Sequence, residues 1–462
     1  MKFLLILLTL FGAVSIAAAQ DTPGNVCPTL VVDALEMAAL SCEDLASGTL
    51  CYGNSDLDAE PQPTTPLLQL NVPGDRENLT AIRSLRLSVM DEINETWGVA
   101  LMEVRAIGEA VDTPQDVTIV LFGDVELDNA VSTQSITASS GVNIRAEPSQ
   151  GAAILETTAS SQALIADGRT GAGDWLRVRL PDNPARQAWI STGLITSDTD
   201  VALLPVIEPD ASSDAAYNEM QAFYFSSGAD DALCDEAPDS GLLLQTPEGT
   251  AEFTMLLNEV NIQLESTAYV QASPGGDMIV FAVSGDVVVE SDGVSRVAVP
   301  GTQISVPLDA NGAANGEPGA AQPYDSSDVA ALPTGLLADQ IAIAPPADID
   351  PGKPIAGNWL FQWGIEQGEC PGGQTVSFSS DVPQTSIEYA ADGETLLILL
   401  TRYRPTGTGV YETVFTDSSG NLHRHTITVT ASDRISGTAQ ITYLDNNCTL
   451  DVPFNMVLIS QP

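Results

Sequence analysis

"GDWLRVRL", residues 173–180, alternates with a period of two. Leu176, Val178 and Leu180 fall on one side; Trp175, Arg177 and Arg179 fall on the other. A period of two belongs to a β-strand and not to a helix. The same punctuation continues outward. "VNIRAEP" (142–148) and "QALIADGRT" (162–170) lie upstream, with the turn "GAGD" before Trp175. "PDNP" (181–184) makes the next turn, and "QAWISTGLI" (187–195) closes the unit. A small five-stranded barrel buries such strands economically, so residues 133–200 read as one β domain. Val142 and Ile144 are expected inside it, with Arg145 outward.

Upstream, residues 21–132 read as an α/β domain. "LVVDALEMAAL" (30–40) places Leu30, Ala34, Leu35 and Ala38 on one helical face. "NLTAIRSLRLSVMDEI" (78–93) reads as a second helix with Asn78 as its cap. "GVALMEVRA" and "DVTIVLFGDVEL" then read as strands. Downstream, residues 201–216 read as a linker and "AAYNEMQAFYF" (215–225) as a short helix. Residues 217–312 form a β domain dense in strands, from "EVNIQLES" to "TQISVPL". Residues 313–355, rich in Ala, Pro and Gly, read as a second linker. Residues 356–462 offer eight strands, among them "QTVSFS" (374–379) and "TLLILLTRY" (395–403), enough to close an up-and-down barrel or to stack as a sandwich. The fold class is therefore multi-domain and mainly β.

Three of these segments resemble known families. The order "VNIRAEP … GDWLRVRL … QAWISTGLI" is similar to a bacterial SH3-like (SH3b) domain, with Trp175 and Trp189 at the family's two Trp positions. Ala188 stands where that family usually has Gly. The resemblance implies a small barrel that binds cell-wall or surface polymers or acts as a spacer. "AYVQAS", "VSGDVVVESDG" and "RVAVPGTQISV" resemble the extracellular β part of FecR-like proteins. The membrane helix and cytoplasmic partner domain that family uses for signalling have no counterpart in the sequence. "GNW" (357–359) is similar to the G-x-W that opens lipocalin-like barrels.

Charge and compartment bound the function. The 462 residues carry 62 Asp+Glu against 16 Lys+Arg, a formal net charge of -46. Such a chain repels phosphate backbones, which argues against nucleic acid as a partner. Lys2 followed by "FLLILLTLFGAVSIAAA" has the layout of a secretory signal peptide over residues 1–20. No later apolar run is long enough to span a bilayer. Six cysteines in an exported chain imply disulfides. Cys370 follows the first strand of the C-terminal domain and Cys448 precedes the last. In a closed barrel those ends meet, so these two are expected to pair. Cys234 is expected to pair with one of Cys27, Cys42 and Cys51.

The candidates for chemistry are few. His423 and His425 are the only histidines, two apart in a strand and so on one face with Ile427 and Val429. With a third ligand they could hold a metal; otherwise they are rim residues beside the "DSSGN" turn. No zincin, nucleophile-elbow, Walker A or dinucleotide-binding motif occurs. No cofactor is indicated. Five arginines fall in residues 133–200, and Trp175 flanked by Arg177 and Arg179, with Trp189, is the candidate sugar- or carboxylate-binding face. The sequence therefore reads as an exported, non-enzymatic bacterial protein that binds or scaffolds at the cell envelope. The alternatives are a carrier of a small apolar ligand in the C-terminal barrel and a secreted hydrolase with an unmarked carboxylate pair. Oligomeric state is not legible.

Overall fold

The computed structural model describes residues 26–461 apart from 63–66, 106–115, 132–133, 140, 160, 181–182, 198–199, 208–216, 218–219, 230, 248–252, 265, 351, 365–366, 371–373, 378–383 and 444–447. The leader expected at 1–20 and most of the 201–216 linker lie outside the described residues. The chain is mainly β, with several sheets and one closed eight-stranded antiparallel barrel.

The two segments expected to fold apart, 21–132 and 217–312, share their sheets. In the nine-stranded sheet, Asp116–Phe122 pairs with Gly241–Gln245, Leu121 opposite Leu242. In the eight-stranded sheet, Val125–Asn129 pairs with Ala222–Ser227, Leu127 opposite Phe225. Leu121, Leu127, Phe223, Phe225, Leu242 and Ile262 meet in a single core between the sheets. Asp116–Phe122 is buried on both faces. Val117, Ile119 and Leu121 face the second sheet, while Val120 and Phe122 face an outer layer. That explains the apolar run from Ile119 to Phe122.

The outer layer is the helix Cys27–Ser41 together with the segment expected to be a linker. Leu30, Val31, Ala34 and Ala38 of the helix join Tyr324, Val329, Leu332 and Leu336 over Trp97, Phe122, Tyr269 and Phe281. Gln245 and Asp339 exchange two hydrogen bonds, Nε2 to carbonyl at 2.9 Å and N–H to Oε1 at 2.8 Å. The part of 313–355 from Ala321 to Leu336 is thus packed structure, because its spaced apolar residues cover a sheet face that would otherwise be exposed.

Two expected helices are strands. The 78–93 stretch forms a 3₁₀ turn, Leu79–Ala81, and then the strand Ile82–Leu87. Asn78 does cap, but it caps that turn, accepting from the Thr80 N–H at 2.9 Å. Ile82, Leu85 and Leu87 reach the core only as a strand paired between Leu57–Pro61 and Val125–Asn129. The 215–225 stretch ends in the strand Ala222–Ser227, with Phe223 and Phe225 inward. In both places sheet pairing overrides local helical spacing.

Residues 134–207 are inserted between two adjacent antiparallel strands of the sandwich, Val125–Asn129 and Ala222–Ser227. They form a seven-stranded sheet that includes Asn143–Arg145, Gln162–Arg169, Trp175–Leu180 and Asn183–Ser191. Val142 and Ile144 point into its core with Leu176, Val178 and Ile190. Trp189 is registered against Arg145, so Asn143–Arg145 and Asn183–Ser191 are neighbours. The seven strands run in an open order and not as the closed five-stranded barrel expected, because Gln134–Ala138 and Ile195–Thr196 extend the sheet on the far side of Gln162–Arg169.

The C-terminal barrel runs Gly357–Trp363, Gln384–Tyr389, Leu396–Ile398, Thr401–Gly407, Val410–Thr416, Leu422–Ala431, Arg434–Tyr443 and Cys448–Ser460. The last strand closes on the first, with Trp359 opposite Leu458. Its membership differs from the expected one in two ways. "QTVSFS" leaves the wall as part of a small hairpin, Gln367–Cys370 with Gln374–Ser377. "TLLILLTRY" breaks into two strands at Leu399 and Leu400, which have φ of 48° and 67°. The interior is filled by Trp359, Ile387, Ile427, Phe454, Met456 and their neighbours. Gly437 is required there, since a Cβ would lie 2.4 Å from the Phe454 ring. Arg296 of the sandwich bonds the fully buried Asp433 at 3.0 Å and seats the barrel.

Candidate functional site

The Trp175 face is closed. Trp175, Arg177, Arg179 and Trp189 are all buried, with Arg177 8% and Arg179 7% exposed. Asp167 bridges the two guanidinium groups, accepting from Arg177 Nε at 2.8 Å and from Arg179 Nε at 3.2 Å. Arg179 also donates to the Tyr217 carbonyl. Ile207 packs on Trp175 and Trp189, so close to the sheet that a Cβ at Gly168 would overlap its side chain. Arg169 Nε donates to the Ala202 and Leu204 carbonyls. The face expected to be open to a polymer therefore lies under a cover. The chain returning to the sandwich forms that cover, and the arginines hold it in place. Buried charges persist only when paired in this way.

The cysteines sit in three disulfides, Cys27–Cys234, Cys42–Cys51 and Cys370–Cys448, with Cα separations of 6.1, 5.8 and 5.5 Å. Cys370 reaches Cys448 through the small hairpin and not through the first barrel strand.

The histidines lie inside the C-terminal barrel. His425 is 7% exposed, and its Nδ1 shares a 2.8 Å hydrogen bond with the Tyr403 hydroxyl. His423 Nε2 meets Asp417 Oδ2 at 3.1 Å. Hydrogen bonds, first from the Asn421 side chain and then from His423, pull the Asp417 carboxyl down to about 2. Burial, helped by the neighbouring His423, pushes His425 down to about 4, so it is neutral at physiological pH. Burial holds the Tyr403 hydroxyl well above its usual range. Phe415 stacks on His423 with centroids 4.8 Å apart and meets His425 edge-on at 5.2 Å. His425 Nε2 and His423 Nδ1 are buried with no hydrogen-bond partner among the described residues. For the metal reading a third ligand is needed. Among the described residues no group of three His, Cys, Asp or Glu side chains is placed to hold a metal ion.

Beside this cluster the barrel wall opens. The ladder between Thr401–Gly407 and Val410–Thr416 runs from Gly407 opposite Val410 to Arg404 opposite Glu412, and there it stops. Among the described residues, Thr401 and Tyr403 pair only with Leu396–Ile398 on their other side. Thr413 to Thr416 likewise pair only with Leu422–Ala431. A groove of about 680 Å³ lies where the strands part, lined by Leu400, Arg402, Arg404, Glu412, Val414 and Phe415 among others. Phe415 is the shared wall between this groove and the two imidazoles. Leu400 is 95% and Val414 56% exposed.

The face shared by His423 and His425 was legible from strand parity. Tyr403, Asp417 and Phe415 were not assigned from sequence. The signal available was the run "LLILL" (396–400), which does not alternate as one strand of a two-faced wall would. For the hydrolase reading, a carboxyl raised by burial is Glu103, pushed up to about 7 on the nine-stranded sheet, where it accepts from Thr118 Oγ1 at 2.8 Å. No protein-family model, curated protein or solved structure matches this chain.

Proposed function

We propose that the protein is an exported bacterial binding protein without catalytic activity, whose C-terminal barrel holds a small ligand in the groove between Thr401–Gly407 and Val410–Thr416. The observation that carries this reading is the ladder that stops at Arg404 and Glu412, leaving a groove of about 680 Å³. Small-molecule sites occupy clefts of about 300–1,000 Å³, apolar with a few polar groups, and the mouths of β-barrels often supply them. The SH3-like unit and the FecR-like strands serve as scaffold. With its aromatic face covered, the SH3-like unit acts as a spacer and not as the polymer-binding module. Three disulfides suit an oxidising compartment, and no helix of the described residues is long and apolar enough to cross a membrane.

The test uses a neutral aromatic probe, N-phenyl-1-naphthylamine, whose fluorescence rises on transfer to an apolar site. The intact protein should bind it saturably at one site per chain. Leu400→Glu with Val414→Glu places two charges on exposed groove residues without touching the core, and should abolish that binding. Absence of saturable binding, or binding indifferent to the two substitutions, would contradict the proposal.

A further inference from the structure

We infer that the groove selects an organic anion, an aromatic carboxylate or sulfonate, with its ring against Phe415 and its charge on Arg402 and Arg404. The inference rests on the binding reading above and names the class of ligand.

Its first ground is how the chain uses its fourteen arginines (16 Lys+Arg less Lys2 and Lys353). Arg177 and Arg179 are buried against Asp167, Arg296 is bonded to Asp433, and Arg434 donates to the Ser295 carbonyl. Arg402, Arg404 and Arg424 are different. All three are exposed, and among the described residues none makes a hydrogen bond or an ion pair. Arg402 lies within electrostatic reach of Asp392 but does not bond it. Arg402 and Arg404 are two apart on one strand, so both project from the outer face at the groove. Arg424 is registered against Val414 across the next pair of strands. Glu412, opposite Arg404, is the one acidic residue lining the groove among the described residues.

On a chain with 62 acidic residues, the general field repels anions. An anion is held here only if local charge outweighs that field. Two guanidinium groups without a bonded partner offer it a planar fork of donors that match a carboxylate or sulfonate.

The second ground is the backbone that builds the groove. Leu399 and Leu400 are consecutive residues at positive φ, a conformation unfavourable for Leu. They are the two central residues of the tight turn between the antiparallel partners Leu396–Ile398 and Thr401–Gly407, where Ile398 faces Thr401. In that turn, Leu400 is turned out and lines the groove together with Val414 and Phe415. An apolar floor beside two cations fits a ligand with one aromatic end and one anionic end.

The experiment compares two probes with the same ring system: the neutral N-phenyl-1-naphthylamine and the anionic 1-anilinonaphthalene-8-sulfonate. The intact protein should bind the anion about tenfold more tightly. Arg402→Gln with Arg404→Gln should remove that preference, lowering the affinity for the anion about tenfold more than that for the neutral probe. Both residues are exposed, and an unchanged thermal melt would show that the variant folds. Equal or weaker binding of the anion, or an anion affinity unchanged in the double variant, would overturn the inference while the binding reading stands. Binding of neither probe would overturn the binding reading and this inference with it.

Discussion

The Phe415 ring lies over the His423 imidazole, with centroids 4.8 Å apart and planes only 10° apart. The same ring lines the groove in the barrel wall. A ligand seated on Phe415 is thus one ring away from the only two histidines in the chain. Anything that moves Phe415 must be felt by His423 and, through the edge contact, by His425.

The neutral state of His425 gives the barrel an acid limit. Its ordinary value is 6.5 and burial takes it to about 4. Above pH 6.5 the ring is neutral in both folded and unfolded chains. As pH falls from 6.5 to 4, the unfolded chain takes up a proton that the folded barrel refuses. Stability is lost across that window, up to about 3 kcal/mol. Urea unfolding of the native chain should fall more steeply over that window than that of His425→Gln, which keeps a polar group near the Tyr403 hydroxyl. Parallel curves for the two proteins would contradict this.

Glu103 should act in the opposite sense and in the sandwich. Its carboxyl rises from 4.5 to about 7, with burial as the leading cause. Below pH 4.5 the group is neutral in both folded and unfolded chains and costs nothing. As pH rises from 4.5 to 7, the unfolded chain releases a proton that the folded sheet retains. Above pH 7 the folded state carries the charge as well, and the loss has reached its full size, up to about 3 kcal/mol. Glu103→Gln keeps a hydrogen-bonding group beside Thr118 and removes the charge. It should raise stability at pH 8 and change little at pH 4, measured by denaturant unfolding. Equal effects at both pH values would show that Glu103 is not the cause.

Asp167 should matter more to the inserted unit than any exposed aromatic would. Asp167→Ala leaves Arg177 and Arg179 buried without their shared carboxylate, at a cost of about 3–5 kcal/mol. It should also loosen the cover made by Ile207 and Tyr217, so that limited proteolysis cuts the chain near Ile207. A variant as stable and as protease-resistant as the native chain would contradict the closed face.

The fold was legible where a strand shows two different faces. "GDWLRVRL" carries the period of two, and the parity of Leu176 and Val178 against Trp175 and Arg177 is read directly from it. What covers the second side depends on Asp167 and on Ile207, which lies beyond the closing strand, and no local pattern marks that contact. The Cys370–Cys448 pairing rests on where distant strands end, that of Cys234 on the odd number of N-terminal cysteines, which left its partner open, and the helix Cys27–Ser41 could be read from its apolar face. The sharing of sheets between 21–132 and 217–312 could not be read at all, because Leu121 and Leu242 are partners only across the inserted unit. At the site, His423 and His425 were placed on one face by parity. The opening beside them depends on the backbone turn at Leu399 and Leu400, residues whose apolar side chains give no hint of positive φ.

The most direct test of a ligand seated on Phe415 is nuclear magnetic resonance of the intact protein with isotope-labelled histidine, which gives signals from two imidazoles alone. Saturating N-phenyl-1-naphthylamine should shift the ring signals of His423 and His425 in the native chain, and should leave them unmoved in Leu400→Glu with Val414→Glu. Saturable binding of the probe with both imidazole signals unmoved would place the ligand elsewhere and contradict the account.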